Sequence, residues 1–367
     1  MPAPQMKPWI AEIAPYVPGR SGEAGKRTIK LSSNENPLGP SPKALEALRA
    51  GTVDPHRYPD AASHELREVI AETHDLEADR VVCGTGSDEL LQLLAQAYAG
   101  PGDEIVHMRY GFMVYPIAAR RAGAVPVAVE DEDYTADVDA ILGAVTDKTK
   151  LVYLANPNNP TGTVIPRNEV ERLHTGLRPD ILLVLDAAYA EYQAGEADYE
   201  DGIAMARVHP NVVTTRTFSK IYGLAGARVG WAYGHPDVIG ALNRIRGPFN
   251  VTSEAQAGAI AAVRDQDWVE HCRTENRRER GRLEEALAAL GNHGVRAVPS
   301  AANFVLATFP ETGDHTAEAA NAFLSERGIL VRWLPQMGLG HALRIGVGTT
   351  EETGELIEAL RAFFGEG

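Results

Sequence analysis

"KLVYLANPNNPTGTVIPRNEVERLHTGLRPDILLVLD" (residues 150–186) joins two short apolar runs through one amphipathic stretch. The runs at 150–155 and 181–186 have the length and composition of buried strands, and 167–177 has the apolar spacing of a helix. A strand, a helix and a second strand in this order predict a βαβ unit, in which both strands lie parallel in one sheet. This stretch therefore indicates the α/β class.

The same alternation continues on both sides of this unit. Further strand-like runs occur at 104–108, 124–129, 211–216 and 228–233, and an amphipathic stretch, "VDAILGAV" (138–145), precedes the first quoted run. Buried strands that alternate with helices predict a mostly parallel sheet that is covered on both faces. In such sheets, ligands bind at the carboxyl ends of the strands.

The pattern changes shortly before residue 250. A long helical stretch is followed by three strand-like runs and a last helix, at 252–290, 303–309, 328–333, 342–348 and 350–365. We predict a second, smaller α+β domain here. The predicted parts are an N-terminal segment (1–35) that packs on the small domain or on a dimer partner, a large domain (36–245) and a small domain (246–367).

Composition narrows the class of protein. The formal net charge of −15 argues against nucleic acid as a partner, because phosphate backbones are bound by basic surfaces. Two cysteines are too few for a disulfide framework, and no pair of the eleven histidines has a convincing spacing for metal ligands. The N-terminus lacks the apolar core of a signal peptide, and no run approaches the roughly 18 apolar residues of a membrane span. We therefore expect a cytoplasmic protein without a metal or a membrane partner.

Polar side chains follow several of the predicted strands. Asn156 and Asp186 end the two strands of the quoted unit, and Ser219 and Lys220 follow another strand. A carboxylate at the end of a buried strand is costly unless it is paired, so Asp186 is either an N-cap or salt-bridge residue or the partner of a protonated ring nitrogen. Lys220 and Arg228 either take part in buried salt bridges or lie in a glycine-rich turn, or else they are a Schiff-base lysine and an arginine that holds the phosphate of the same cofactor.

The stretch "VVCGTGSDELLQLLAQAYA" (81–99) is typical of a strand, a glycine turn and a helix. The start of a helix binds phosphate through free N–H groups, although an ordinary βα turn would have the same pattern. No Gly-Lys-Ser/Thr follows, so the stretch is not a P-loop. Glu89 stands where a dinucleotide fingerprint has its third glycine, which disfavours a nicotinamide dehydrogenase.

Together these stretches resemble the fold-type I pyridoxal-phosphate-dependent aminotransferases over nearly the full length. The motifs that carry the resemblance are "YVPG" (16–19), "SSNENPLGPSP" (32–42), "RYPD" (57–60), "GTGSDE" (84–89), "NPNNPTG" (156–162), "DAAYAEY" (186–192), "TFSKIYGLAGARVGW" (217–231) and "LRIGVGT" (343–349). The resemblance implies a large domain with a mostly parallel, seven-stranded sheet flanked by helices. It also implies a smaller α+β domain built from the C-terminal part and the N-terminal segment.

The resemblance implies pyridoxal 5′-phosphate as the cofactor and three catalytic residues. Lys220 would form the Schiff base, Asp186 would pair with the protonated ring nitrogen, and Tyr189 would hydrogen-bond the ring's phenolate oxygen. The further cofactor contacts that it implies are Asn156 on the same oxygen, Phe112 stacked on the ring, and Gly86, Ser87, Asp88, Ser219 and Arg228 around the phosphate. We prefer Phe112 to Tyr110 as the stacking residue.

The resemblance also implies a homodimer with shared active sites, in which Tyr58 reaches the phosphate of the neighbouring subunit. The residues that it implies for the substrate are Tyr16, Asn36, Arg332 and Arg344. The implied reaction transfers an amino group between L-histidinol phosphate and 2-oxoglutarate in histidine biosynthesis. An aromatic amino-acid (Phe/Tyr) aminotransferase that uses the same site is the alternative.

Overall fold

The βαβ unit predicted from residues 150–186 is present in the structure, a computed structural model that describes residues 4–15, 22, 27–51 and 54–365. Thr149–Ala155 and Leu182–Asp186 pair as parallel strands, and the helix Arg167–Gly176 connects them. All the side chains of Leu182–Asp186 are buried, as expected for a strand covered on both faces.

The described residues form thirteen strands and thirteen α-helices, numbered here along the chain. The strands are β1 (Ile29–Lys30), β2 (Val81–Gly84), β3 (Glu104–Met108), β4 (Val125–Val129), β5 (Thr149–Ala155), β6 (Leu182–Asp186), β7 (Val212–Thr217), β8 (Gly230–Gly234), β9 (Arg296–Val298), β10 (Phe304–Thr308), β11 (Ile329–Leu330), β12 (Arg332–Leu334) and β13 (Leu339–Gly346). The helices are α1 (Pro8–Ala11), α2 (Pro42–Ala50), α3 (His64–His74), α4 (Ser87–Tyr98), α5 (Val114–Ala122), α6 (Val138–Gly143), α7 (Arg167–Gly176), α8 (Ile203–Val208), α9 (Pro236–Ile245), α10 (Ser253–Arg264), α11 (Gln266–Ala289), α12 (Ala317–Glu326) and α13 (Thr350–Phe363).

Seven of the described strands form the large sheet, in the order β2-β8-β7-β6-β5-β3-β4. β8 is antiparallel to both of its neighbours, and the other pairs are parallel. The mostly parallel, seven-stranded sheet predicted from the sequence is therefore confirmed. Asp186 lies opposite Ala155 on one side and Thr215 on the other, so the ends of β5, β6 and β7 meet at one edge of the sheet.

The smaller sheet is antiparallel, in the order β12-β13-β10-β9. Arg332 of β12 lies directly opposite Arg344 of β13, which puts both side chains on the same face. β1 pairs with β11, so the N-terminal segment joins the C-terminal part of the chain. This agrees with the predicted smaller α+β domain built from both ends of the sequence.

The predicted helix at 252–290 consists of two helices, α10 and α11. Asp265 lies between them with a non-helical backbone (φ −95°, ψ 63°), and its Oδ1 accepts a hydrogen bond from Lys43 Nζ at 2.9 Å. The predicted domain division at 245/246 stays a prediction. α10 follows that position, yet it packs against α2 and α3, and its residues Ala255 and Ala259 lie in the same apolar core as the large sheet. None of the described helices has the length and apolar character needed to cross a membrane.

Candidate active site

A cavity of about 560 Å³ lies at the edge where β5, β6 and β7 end. Many of the side chains singled out in the sequence line it, although they come from distant parts of the chain. These are Ser87, Asp88, Phe112, Asp186, Tyr189, Ser219, Lys220 and Arg228. The fold thus brings together the lysine, the strand-end carboxylate and the arginine that the sequence left as separate candidates.

The carboxylate of Asp186 is buried at the end of β6 and accepts hydrogen bonds from two hydroxyl groups. Tyr115 Oη donates to Oδ2 at 2.8 Å, and Thr215 Oγ1 donates to Oδ1 at 3.3 Å. Burial raises the pKa of Asp186, while the two hydroxyl donors oppose that shift. Tyr115 is itself held by stacking on Tyr153, with ring centroids 4.6 Å apart. Burial deprives the Asp186 carboxylate of hydration, and a cationic N–H group placed beside it would stabilise its ionised form.

Lys220 and Tyr189 form the next part of the lining. Lys220 Nζ lies 5.5 Å from the centre of the Tyr189 ring. Tyr189 is buried, and its hydroxyl accepts a hydrogen bond from Asn34 Nδ2 at 3.1 Å. The amine and the phenol therefore lie on the same wall of the cavity.

Arg228 defines an anion-binding end of the cavity at the start of α4. Its Nη1 donates to Ser219 Oγ at 3.1 Å and to the Ala225 carbonyl at 3.0 Å. Gly86, just before α4, has a left-handed backbone (φ +83°), and a Cβ there would lie 2.5 Å from Arg228 Nη2. Within the described part of the chain, no side-chain cap is present at this helix start, so its N–H groups can bind an anion.

Asp88 contributes to this end through its position in the first turn of α4. Its side chain lines the cavity, and burial raises the pKa of its carboxyl group, opposed by Arg228 and Arg121. A bound anion would be repelled by an ionised carboxylate here. The structure therefore favours the backbone of Asp88, not its carboxylate, as the contact for an anion.

Asn156, which we predicted to face the cofactor, is not among the described residues that line the cavity. Its side-chain amide is bound to the backbone of Ile165, donating to the carbonyl at 3.1 Å and accepting from the N–H at 3.0 Å. Asn159, three residues later in the same motif, lines the cavity instead. Of the two asparagines of "NPNNPTG", the structure thus places Asn159, and not the predicted Asn156, in the lining of this cavity, and both Asn156–Pro157 and Asn159–Pro160 are cis.

Asn36, predicted to bind substrate, also lies elsewhere. Its Nδ2 donates to the Ile221 carbonyl at 2.6 Å, its Oδ1 accepts from the Leu38 N–H at 3.0 Å, and it lines a separate cavity of about 280 Å³. The amide is therefore used to hold the "NENP" turn. Asn34 of the same motif is the residue that contacts Tyr189.

Arg332 and Arg344 line an adjoining compartment of about 170 Å³. Phe112, Asn159 and Lys220 line both this compartment and the larger cavity, so the two lie side by side. Arg344 is held in place by hydrogen bonds from Nη1 to Asn159 Oδ1 at 2.7 Å and from Nη2 to a main-chain carbonyl at 2.8 Å. Two arginines from the small sheet thus give this compartment a strongly cationic wall.

The remaining predicted residues are placed as follows. Phe112 lines both compartments, whereas Tyr110 lies against Tyr134 and does not appear in either lining among the described residues. Tyr58 is 82% exposed and stacks on Phe249, with ring centroids 4.5 Å apart. Tyr16 lies outside the described residues.

These observations fit the cofactor that the resemblance implies. Pyridoxal 5′-phosphate has an anionic phosphate, a basic ring nitrogen and an aldehyde carbon. Arg228 beside the glycine at the start of α4 suits the phosphate, the buried carboxylate of Asp186 suits the protonated nitrogen, and Lys220 supplies an amine. In the described part of the chain, no group of three or more His, Cys, Asp or Glu side chains is placed to hold a metal ion.

Comparison with known proteins agrees with this arrangement. Residues 26–360 match the model of the family described as aminotransferase class I and II. The chain is 58% identical to the histidinol-phosphate aminotransferase of Erythrobacter litoralis, covering 95% of this chain and 94% of that protein. It is 56% identical to the enzyme of the same name from Sphingopyxis alaskensis, covering 97% and 96%. A crystal structure of histidinol-phosphate aminotransferase from Sinorhizobium meliloti, in complex with pyridoxal-5′-phosphate, is 30% identical and covers 99% of this chain and 98% of that one, with a TM-score of 0.89.

Proposed function

This chain belongs to the aminotransferase class I and II family, and from that premise we propose that it transfers an amino group between L-histidinol phosphate and 2-oxoglutarate in histidine biosynthesis. The products are imidazole acetol phosphate and glutamate, and pyridoxal 5′-phosphate is the cofactor. The observation that carries the reaction class is the single cavity in which Lys220, Asp186 and Arg228 meet. The substrate follows from relatives that are more than half identical over nearly the whole chain.

When bound, the cofactor supplies an aldehyde carbon that bonds amines and a ring that disperses negative charge from the substrate Cα. Asp186 keeps a proton on the ring nitrogen, because the buried carboxylate stabilises a cation beside it. Ser219 Oγ, Arg228 and the N–H groups at the start of α4 hold the phosphate. Asn159 and Tyr189, which line the same cavity, would donate to the phenolate oxygen, and Phe112 would pack on the ring.

Lys220 is the general acid and base of this proposal. Its Nζ would take up the proton from the substrate Cα and would hold it for return during the transfer. Tyr189 limits where Nζ can move, since its ring lies 5.5 Å from that atom. The same proton transfers in reverse order serve the second substrate.

The two arginines of the small sheet explain how one site can bind two chemically different substrates in turn. Glutamate and 2-oxoglutarate have two carboxylates, whereas histidinol phosphate has a phosphate and no carboxylate. Arg332 and Arg344 form one cationic wall in the compartment beside Lys220. A guanidinium pair can accept either anion, because carboxylate and phosphate both suit bidentate hydrogen bonds.

The experiment that tests this function compares amino donors. L-histidinol phosphate, L-phenylalanine and L-tyrosine are each supplied with 2-oxoglutarate, and kcat/KM is measured for each donor. We expect a strong preference for L-histidinol phosphate, and we expect Lys220→Ala to lose nearly all turnover with every donor. A preference for the aromatic amino acids would support the alternative function and overturn this one.

A further inference from the structure

Asn34 is a buried residue in an uncommon backbone conformation beside the candidate lysine. Its φ is +54°, in the left-handed region that asparagine and glycine tolerate best. Its main-chain carbonyl accepts a hydrogen bond from Asn303 Nδ2 at 3.0 Å, which holds the backbone at Asn34 in place. The side chain lines the compartment that contains Lys220.

The amide of Asn34 constrains the hydroxyl proton of Tyr189. Asn34 Nδ2 donates to Tyr189 Oη at 3.1 Å, so this oxygen acts as an acceptor on that side. A phenol has one O–H proton, and it must then be donated in another direction. Asn34 Oδ1 is buried and has no hydrogen-bond partner among the described residues. The opposite amide orientation would bury an unpaired N–H donor at that place, which favours the observed orientation.

We propose that Asn34 is a positioning residue that acts through Tyr189. By occupying the acceptor side of the hydroxyl, Asn34 directs the O–H of Tyr189 into the cavity, toward the phenolate oxygen of the cofactor. This inference rests on the proposed function. An oxygen that accepts a hydrogen bond also becomes a stronger donor, so the contact strengthens the bond from Tyr189 to the phenolate.

The consequence is a shift in a measurable titration. A donor to the phenolate stabilises the form in which the bond between Lys220 and the cofactor is unprotonated, because it replaces the internal hydrogen bond of the protonated form. Loss of Asn34 Nδ2 weakens that donor. The pKa of the Lys220–cofactor linkage should therefore rise, and visible absorbance against pH reports this pKa without turnover.

The test is a double-mutant cycle on the cofactor-loaded enzyme. Asn34→Gly removes the amide while tolerating the left-handed backbone, and Tyr189→Phe removes the hydroxyl. We expect Asn34→Gly to raise the linkage pKa by about half to one unit, the size expected for one hydrogen bond. We expect the same substitution to leave the pKa unchanged when Tyr189 is already Phe.

Two outcomes would overturn the inference: no shift in Asn34→Gly, or an equal shift with and without the Tyr189 hydroxyl. If Asn34→Gly does not fold, Asn34→Asp carries the same cycle, because aspartate also tolerates this backbone. The negative charge of the aspartate shifts the linkage pKa whether residue 189 is Tyr or Phe. The inference therefore predicts that the pKa shift is larger in the protein that keeps Tyr189. Wild-type protein that shows no cofactor absorbance would instead contradict the proposed function.

Discussion

Asn156 and Asn159 have the same side chain and lie three residues apart, yet their hydrogen bonds give them different tasks. The amide of Asn156 is bound at both ends to the backbone of Ile165, so it holds the loop that follows β5. Asn159 Oδ1 accepts from Arg344, and its side chain lines the cavity. One asparagine maintains the shape of the loop, and the other connects the cofactor end of the cavity with the arginine wall.

Substitution of each asparagine by alanine should separate these tasks. Asn159→Ala should lower kcat/KM for both substrates, because it removes a cavity donor and one of the hydrogen-bond partners of Arg344. Asn156→Ala should lower the free energy of unfolding by about 1–3 kcal/mol, since it leaves backbone groups of Ile165 unpaired. Its kcat/KM per folded molecule should change little. Steady-state kinetics and chemical denaturation of both variants check this, and a stable but inactive Asn156→Ala would restore our original assignment.

His74, at the end of α3, should make stability depend on pH. Burial, assisted by Arg216, lowers its pKa to about 4 from an ordinary value of 6.5. The unfolded chain binds the proton more tightly, so the stabilisation is complete above pH 6.5 and is lost as the pH falls from 6.5 toward 4. Between pH 6.5 and 4, the free energy of unfolding of His74→Gln should fall less steeply with pH than that of the wild type, by at most about 1.4 kcal/mol per pH unit.

Denaturation at pH 7, 5.5 and 4.5 measures this difference in slope. His64→Gln is the matched control, because His64 is on the same helix and its side chain is 72% exposed. A His74→Gln profile identical to that of the wild type would contradict the role of burial at this site.

At the scale of elements, the backbone conformation of Gly86 at the start of α4 leaves room for Arg228 to help bind an anion. Gly86 combines a left-handed φ with contact to Arg228, and the helix start has no side-chain cap. Gly86→Ala should therefore weaken cofactor binding severely, because the new Cβ displaces the guanidinium. Gly102→Ala is the matched control, since Gly102 also has a positive φ (+96°) but has open space where its Cβ would be.

In these two variants, cofactor titration followed by absorbance measures the effect of the contact with Arg228, and thermal denaturation measures the effect of backbone strain. Both should lose about 1–2 kcal/mol of stability from the left-handed backbone. Gly86→Ala alone should lose cofactor affinity. Equal affinities in the two variants would show that the contact with Arg228 does not matter for binding.

The sequence predicted the regular elements better than it predicted the contacts. The strands of the large sheet follow from apolar runs, and each observed central strand lies within a residue or two of its predicted bounds. The break at Asp265 was missed because it depends on a tertiary contact with Lys43, which no local pattern reveals. The three-residue strand β9 was missed because so short a run has no period to detect.

Part of the site could also be predicted, and the reason differs from residue to residue. Asp186 and Lys220 follow strands, so topology alone brings them to one edge. The choices between Asn156 and Asn159, and between Asn36 and Asn34, depend on which way an amide faces in a tight turn. Composition and spacing carry no information on that direction, since both members of each pair have the same side chain in the same motif.

At the scale of the whole molecule, the two cavity compartments lie between two sheets that share no strand. Asp186 ends a strand of the large sheet, Ser219 and Lys220 follow another, and the small sheet supplies Arg332 and Arg344. The N-terminal segment adds Asn34 to the shared wall. A change in the distance between the sheets would thus alter the substrate compartment while leaving the phosphate end intact.

Tyr58 lies on the surface and is not among the described residues that line the cavity. Its ring is 82% exposed and, with Phe249, forms an aromatic pair on the surface. We propose that this chain forms a homodimer and that Tyr58 donates to the phosphate bound by the neighbouring subunit. Tyr58→Phe removes the hydroxyl, keeps the stacking on Phe249, and should weaken cofactor binding without unfolding the protein.

Mixed dimers of Lys220→Ala with Tyr58→Phe test whether Tyr58 acts across the subunits. In the shared arrangement, one site of the hybrid has both substitutions, and the other has an intact Lys220 and an intact Tyr58 from the partner. Such hybrids should regain wild-type activity per intact site, above that of either parent dimer. If Tyr58 acted within its own subunit, no site would have both residues, and mixing would restore nothing. Separately tagged subunits, refolded together and purified through both tags, provide the hybrid, and each parent carried through the same steps is the control.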